Sequence, residues 1–309
     1  GKFGNFKFIT NSIGFRDSSS RKIKYENDGQ RIIFIGDSFT EGLLVNFEDS
    51  FVGIIQKNFE KKNIDILNAG VSSYSPSIYY TKIKFFIDKG LKFNQLVVYI
   101  DISDIEDEAL NYRIINNKVV SLLDLEKKEP KRNIEKNIIN FFKKNFYISY
   151  FILNFFHDEF TLTLNKEFTE EEYDQFVLSD KYPRDKWTLN RRIRSEYNIG
   201  IINSIKYMKL LSDLCKKNNI KMTIAVYPWP SQIYYNDLHS QQVEIWKNFS
   251  DTNKIQFINH FPIFFDNNIM QDDLKQQIKK YYISFDIHFN KNGNKLIAKD
   301  FLNKFKIDY

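Results

Sequence analysis

The sequence predicts an α/β protein, a three-layer α/β/α sandwich around a five-stranded, mostly parallel sheet, and three observations carry that expectation. Five short apolar runs, Ile32 to Ile35, Ile64 to Leu67, Leu96 to Ile100, Ile220 to Tyr227 and Ile255 to Phe261, alternate with stretches of helical spacing. The runs are nearly continuous in apolar residues, as strands buried on both faces must be. The first of them opens directly into Gly36-Asp37-Ser38, which sets a serine at a strand's C-terminal end, the edge where open α/β sheets place their ligands.

With 309 residues, 42% hydrophobic and 27% charged, the chain can bury a sizeable core as one α/β domain carrying an insertion. Residues 1–112 and 200–309 hold the alternating pattern, whereas 113–199 break it and read as inserted, a candidate lid or cap. The net charge of +6 is spread as Lys and Arg among Asp and Glu along the whole length, which argues for a solvated lysine-rich surface and against nucleic acid as a partner. The single cysteine, Cys215, can form no disulfide within the chain and carries no signature of an oxidising compartment. No apolar run is long enough to span a bilayer. Because the chain starts at Gly1, the sequence does not show whether a signal or anchor precedes it, and membrane association through one stays open.

In chain order, residues 1–30 are polar and basic apart from Asn11 to Arg16, where Phe15 is expected to pack inward and Arg16 to stay at the surface. Asp49 to Lys62 places Phe51, Ile54, Ile55 and Phe59 on one helical face, and Ser75 to Lys89 does the same with Tyr79, Ile83 and Phe86. Between them, the second strand ends in Asn68-Ala69-Gly70. After the third strand comes an acidic run, Asp101 to Glu108. There Ser103-x-x-Glu106 fits a capping box, and Asp104, Asp107 and Glu108 suit the positive end of a helix. Calcium is not expected, since the run lacks the ligand spacing and glycine of an EF-hand.

Inside the insertion, Asn116-Asn117 between apolar pairs predicts a small hairpin, and Phe146 to Phe156 an aromatic core or lid helix. Ile201, Ile205, Met208, Leu211 and Leu214 form a long helical stripe. The fourth strand opens into Pro228-Trp229-Pro230-Ser231-Gln232, where a rigidly framed Trp229 either stacks on a sugar ring or plugs the sheet end. A last helix, Lys291 to Lys306, starts after Asn290, a good N-cap.

Ser38 is the candidate nucleophile; the plainer account is a strand-to-helix turn capped by Asp37 or Ser38. A serine nucleophile needs a base, and the base needs a carboxylate on its far nitrogen. In Ser284-Phe285-Asp286-Ile287-His288-Phe289-Asn290, Asp286 and His288 stand two apart and can meet if the segment is extended. His157 and His239 lie in or beside amphipathic stretches, and His260, at the end of the last strand, is the reserve base.

Asn11-Ser12-Ile13-Gly14-Phe15-Arg16, a strand, and then Gly36-Asp37-Ser38-Phe39-x-x-Gly42 together resemble the SGNH (GDSL-like) hydrolase family over residues 1–112 and 200–309. The resemblance implies Ser38 as nucleophile, His288 as base, Asp286 as its partner, and an oxyanion hole from the backbone of Ser38 and Gly70. It departs in the third block, where Asp101 stands for the family's glycine and Ser103 for its asparagine, leaving Ser103 as the third oxyanion donor. The short Asp-x-His-Phe-Asn block resembles the Asp-x-His-Trp-Asn variant of bacterial envelope proteins that include carbohydrate O-acetyltransferases. This implies a carbohydrate ester as substrate, with Asp37, Asp101 and Trp229 on the substrate side. It requires no cofactor and no metal, and it favours the envelope or periplasm over the cytoplasm. The rival is a noncatalytic carbohydrate-binding or assembly protein on the same fold.

Overall fold

A computed structural model describes residues 6–115, 118–121, 183–185, 187–189, 197–265, 271–284 and 286–307. Five strands form one all-parallel sheet: β1 (Gln30–Ile35), β2 (Ile64–Asn68), β3 (Gln95–Ile100), β6 (Lys221–Val226) and β7 (Gln256–Asn259), in the spatial order β2-β1-β3-β6-β7. The three inner strands are buried almost throughout, which is why their sequences are apolar without alternation. The order reverses direction beside β1, so the loops after β1 and β3 leave the sheet on opposite faces and open a crevice between them.

The helices are α1 (Ser38–Glu41), α2 (Phe51–Glu60), α3 (Pro76–Asp88), α4 (Asp104–Glu106), α5 (Asn198–Lys217), α6 (Pro230–Tyr234), α7 (Gln241–Asn253), α8 (Gln271–Tyr281) and α9 (Lys291–Lys304). α2 packs with α9 and α3 packs with α5, and right-handed crossovers put these two pairs on opposite faces of the sheet. The three-layer sandwich and the five parallel strands are those the sequence predicts. β4 (Tyr112–Ile115) and β5 (Lys118–Ser121) pair antiparallel at the position of the predicted hairpin. The aromatic run Phe146 to Phe156 and His157 lie outside the described residues, as does most of the insertion.

Arg16 is not at the surface. It bridges to Asn68 on the free edge of β2, and its buried guanidinium donates to the carbonyls of Glu41, Gly42 and Val45. The reason is chemical: the chain leaving α1 presents three carbonyls without helical partners, and a planar, multi-donor guanidinium satisfies them together. No helix of the described residues is long and apolar enough to cross a membrane.

Candidate active site

β1 delivers Gly36-Asp37-Ser38 to the crevice, and the plainer account of these residues, a capped strand-to-helix turn, describes what they form there. Asp37 is the N-cap of α1, its carboxylate accepting the Phe39 N–H at 3.0 Å. That cap fixes the start of α1 and leaves the Ser38 side chain free to face the crevice.

His288 Nε2 lies 2.7 Å from Ser38 Oγ, across 250 positions of sequence. Its Nδ1 is hydrogen-bonded to Asp286, and the same carboxylate accepts the His288 backbone N–H at 2.8 Å. Asp286 and His288 are both buried, and the ring of Phe39 lies 4.6 Å from the imidazole. Burial disfavours the imidazolium, but Asp286, the hydrogen bond to it, and the nearby Asp37 and Asp101 outweigh that cost and hold His288 above the ordinary histidine value.

No family model matches the chain, and no curated protein matches it. Similarity is found to solved structures. One is a member of the lipolytic G-D-S-L protein family from Veillonella parvula, 14% identical, covering 90% of this chain and 98% of that one at a TM-score of 0.46. Another is a catalytic mutant of an acetylxylan esterase from Geobacillus stearothermophilus, 11% identical, covering 91% and 96% at a TM-score of 0.46. A third is a psychrotrophic esterase from Pseudoalteromonas, 10% identical, covering 89% and 96% at a TM-score of 0.42.

His260, the reserve base, is elsewhere. Its Nε2 meets the Tyr99 hydroxyl at 3.2 Å and its Nδ1 meets Asp300 at 2.8 Å, so both ring nitrogens are engaged inside the core. His239 is exposed, between α6 and α7.

Gly70 sits at the end of β2, against α1. A Cβ there would lie 2.6 Å from the Glu41 nitrogen, so only glycine permits the approach. Its N–H, expected to face the reacting oxygen, is taken up at 3.0 Å by the side-chain carbonyl of Asn68, whose amide donates to Thr40 O at 2.7 Å. Asn68 thereby fastens the second block to α1. Its role was not expected from the sequence, although its place in Asn-Ala-Gly was a signal.

The third block differs most from expectation. Ser103 is buried at the start of α4 without a side-chain capping bond, so the capping box does not form. Asp104, Glu106, Asp107 and Glu108 are all buried rather than arrayed at an exposed helix end. Partners outside the run make this tolerable: Tyr79 donates to Asp104 at 3.0 Å, Tyr197 to Glu106 at 3.2 Å, Arg184 to Asp107 at 2.9 Å and Ser75 to Glu108 at 2.7 Å.

Asp37 and Asp101 face inward rather than toward substrate. With Asp104 they bring carboxylate oxygens within 4.8 Å of one another, the one grouping among the described residues close enough to hold a metal ion. Protein donors already serve the cluster. Tyr227 donates to Asp37 at 3.2 Å, and the Ser103 N–H and the Trp229 indole donate to Asp101 at 2.8 and 2.6 Å. Burial and the neighbouring Asp101 push the Asp37 carboxyl up to about 8, and burial with the adjacent carboxylates raises Asp104 as well. Trp229 is therefore on the plug side of its two alternatives. It is 2% exposed, and its indole holds Asp101 instead of offering a face to a sugar.

Proposed function

We propose that the protein is a serine-dependent ester hydrolase or O-acyltransferase working through an acyl-enzyme. The observation that carries this is the continuous hydrogen-bonded line Ser38, His288, Asp286 at the C-terminal ends of parallel strands. Ser38 Oγ attacks the ester carbonyl while its proton passes to His288 Nε2. Asp286 keeps the Nδ1 proton in place and stabilises the imidazolium, which then protonates the leaving alcohol. Water regenerates Ser38 in hydrolysis, and a sugar hydroxyl does so in transfer. Backbone N–H groups of Ser38 and Gly70 receive the developing oxyanion, the latter by turning from the neutral carbonyl of Asn68 to a charged acceptor.

A short acyl group, acetyl, on a carbohydrate is the finer reading. It rests on the Asp-x-His-Phe-Asn block and is supported by the packing behind His288, where the rings of Phe39, Tyr227 and Phe289 lie against one another. The test joins fluorophosphonate labelling of wild type and Ser38→Ala to rates on p-nitrophenyl esters from acetate to octanoate. Label on wild type alone, with rates falling beyond acetate, is the expected result. An unlabelled wild type would sink the serine mechanism. Rates that climb with chain length, where each buried methylene adds roughly 0.8 kcal/mol, would sink the acetyl reading.

A further inference from the structure

Lys82, on the inner side of α3, makes an unusual use of an ammonium group. Its Nζ donates to the carbonyl of Ala69 at 2.9 Å, its one hydrogen bond among the described residues. The aromatic rings of Phe15 and Tyr74 flank it, with Nζ 5.1 and 5.0 Å from their centroids. Burial lowers its pKa to about 8, partly opposed by the charge of Glu41, so the group is still mostly a cation at neutral pH. A half-buried cation spent on a single neutral carbonyl is costly unless that carbonyl matters.

The carbonyl belongs to the Ala69–Gly70 peptide, whose other end is the Gly70 N–H. A positive charge on the oxygen of an amide draws electrons toward that oxygen and leaves the N–H a stronger donor, the same polarisation that runs along hydrogen-bonded chains. The N–H end of the plane rests on Asn68 in this structure, and Lys82 holds the oxygen end about which the N–H turns toward the reacting oxygen. Taking the serine mechanism proposed above as its basis, we infer that Lys82 is a positioning residue for the oxyanion hole, polarising the Ala69–Gly70 peptide so that Gly70 donates strongly to the tetrahedral intermediate. Lys82 touches no substrate. Its charge is felt only as negative charge builds on the reacting oxygen, so it acts on turnover and not on substrate binding.

Three variants separate charge from packing: Lys82→Arg keeps the cation, Lys82→Gln keeps a donor without charge, and Lys82→Met keeps only the stem. The measurements are kcat and KM on p-nitrophenyl acetate and the affinity for a boronic acid, which forms a tetrahedral adduct on the serine. Fluorophosphonate labelling of wild type runs beside them. Lys82→Gln and Lys82→Met should lose about tenfold in kcat with KM little changed, less than the hundredfold or more for a deleted donor. Boronate affinity should fall in parallel, and Lys82→Arg should recover most of both. Should Lys82→Met fail to fold, Lys82→Gln against Lys82→Arg still decides. Wild-type turnover in Lys82→Gln, or a loss confined to KM, overturns the inference alone while the labelled serine keeps the mechanism. Absence of label on wild type overturns both.

Discussion

At the scale of single residues, the carboxyl of Asp37 is where burial, charge and chemistry meet most closely. It caps α1, accepts from Tyr227, and sits 3.4 Å from Ser38 Oγ. In the unfolded chain it releases its proton near 3.8, whereas in the folded state burial and Asp101 hold the proton to about 8. Between those values the native state binds more protons than the unfolded state, so this group makes stability fall as pH rises through the window. Asp37→Asn has no proton to release, and its stability relative to wild type should climb from about pH 5 to about pH 8 and then level off. Urea midpoints across that range would show it, and a constant difference between the two proteins would refute it. The candidate chemistry at this scale was legible because Gly-Asp-Ser and Asp-x-His name their residue types. The buried partners were not: nothing in Asp101 or Trp229 as letters says that an indole 128 positions away will satisfy that carboxylate.

Elements were legible where apolar spacing is strong and misread where contact is made by small residues. The stripe expected on α5 includes Met208 and Leu211, which are buried, but also Ile205, which is 38% exposed. The buried face carries Gly200, Ser204 and Ser212 beside Met208, Leu211 and Cys215, and at Gly200 α5 comes too close to the segment after β3 for a larger side chain. A Cβ on Gly200 would stand 2.0 Å from the Ile105 carbonyl oxygen. Alanine favours a helix over glycine by about 0.8–1.0 kcal/mol in an exposed interior, yet here the clash opposes it. Gly200→Ala should destabilise the protein by about 1–3 kcal/mol, the cost of overpacking a fitted contact. Chemical denaturation measures this directly, and a variant as stable as wild type would mean that α5 can move aside at no cost. The same logic explains the acidic run after β3, whose letters suit an exposed helix end. Its burial depends on Arg184, Tyr197 and Tyr79, which lie far from it in sequence.

The whole molecule joins the two ends of its chain to make the site, since the strand order brings Ser38 after β1 beside a loop that leads into the last helix. The joint is Asn294. Its side-chain oxygen accepts the Phe51 N–H at the start of α2, across 243 positions, at 2.9 Å, while its amide nitrogen donates to the carbonyls of Phe289 and Asn290 at 3.1 and 3.0 Å. One buried side chain thus ties the start of α2 to the residues that immediately follow His288. Asn294→Ala would take the side-chain partner from the Phe51 N–H and the Phe289 carbonyl, while the Asn290 carbonyl keeps the Asn294 backbone N–H, and a buried donor left unmet costs about 1–3 kcal/mol. The effect should not stop at stability, because the Ser38 to His288 contact depends on how the start of α9 is seated, and small misplacements of a reacting pair lower turnover sharply. Asn294→Ala is therefore expected to unfold at lower denaturant and, in conditions where it is still fully folded by circular dichroism, to show reduced kcat with KM near that of wild type. Wild-type turnover in the folded variant would show that His288 is seated by its own bonds to Asp286 and by the packing of Phe39 and Phe289, with Asn294 contributing only to stability.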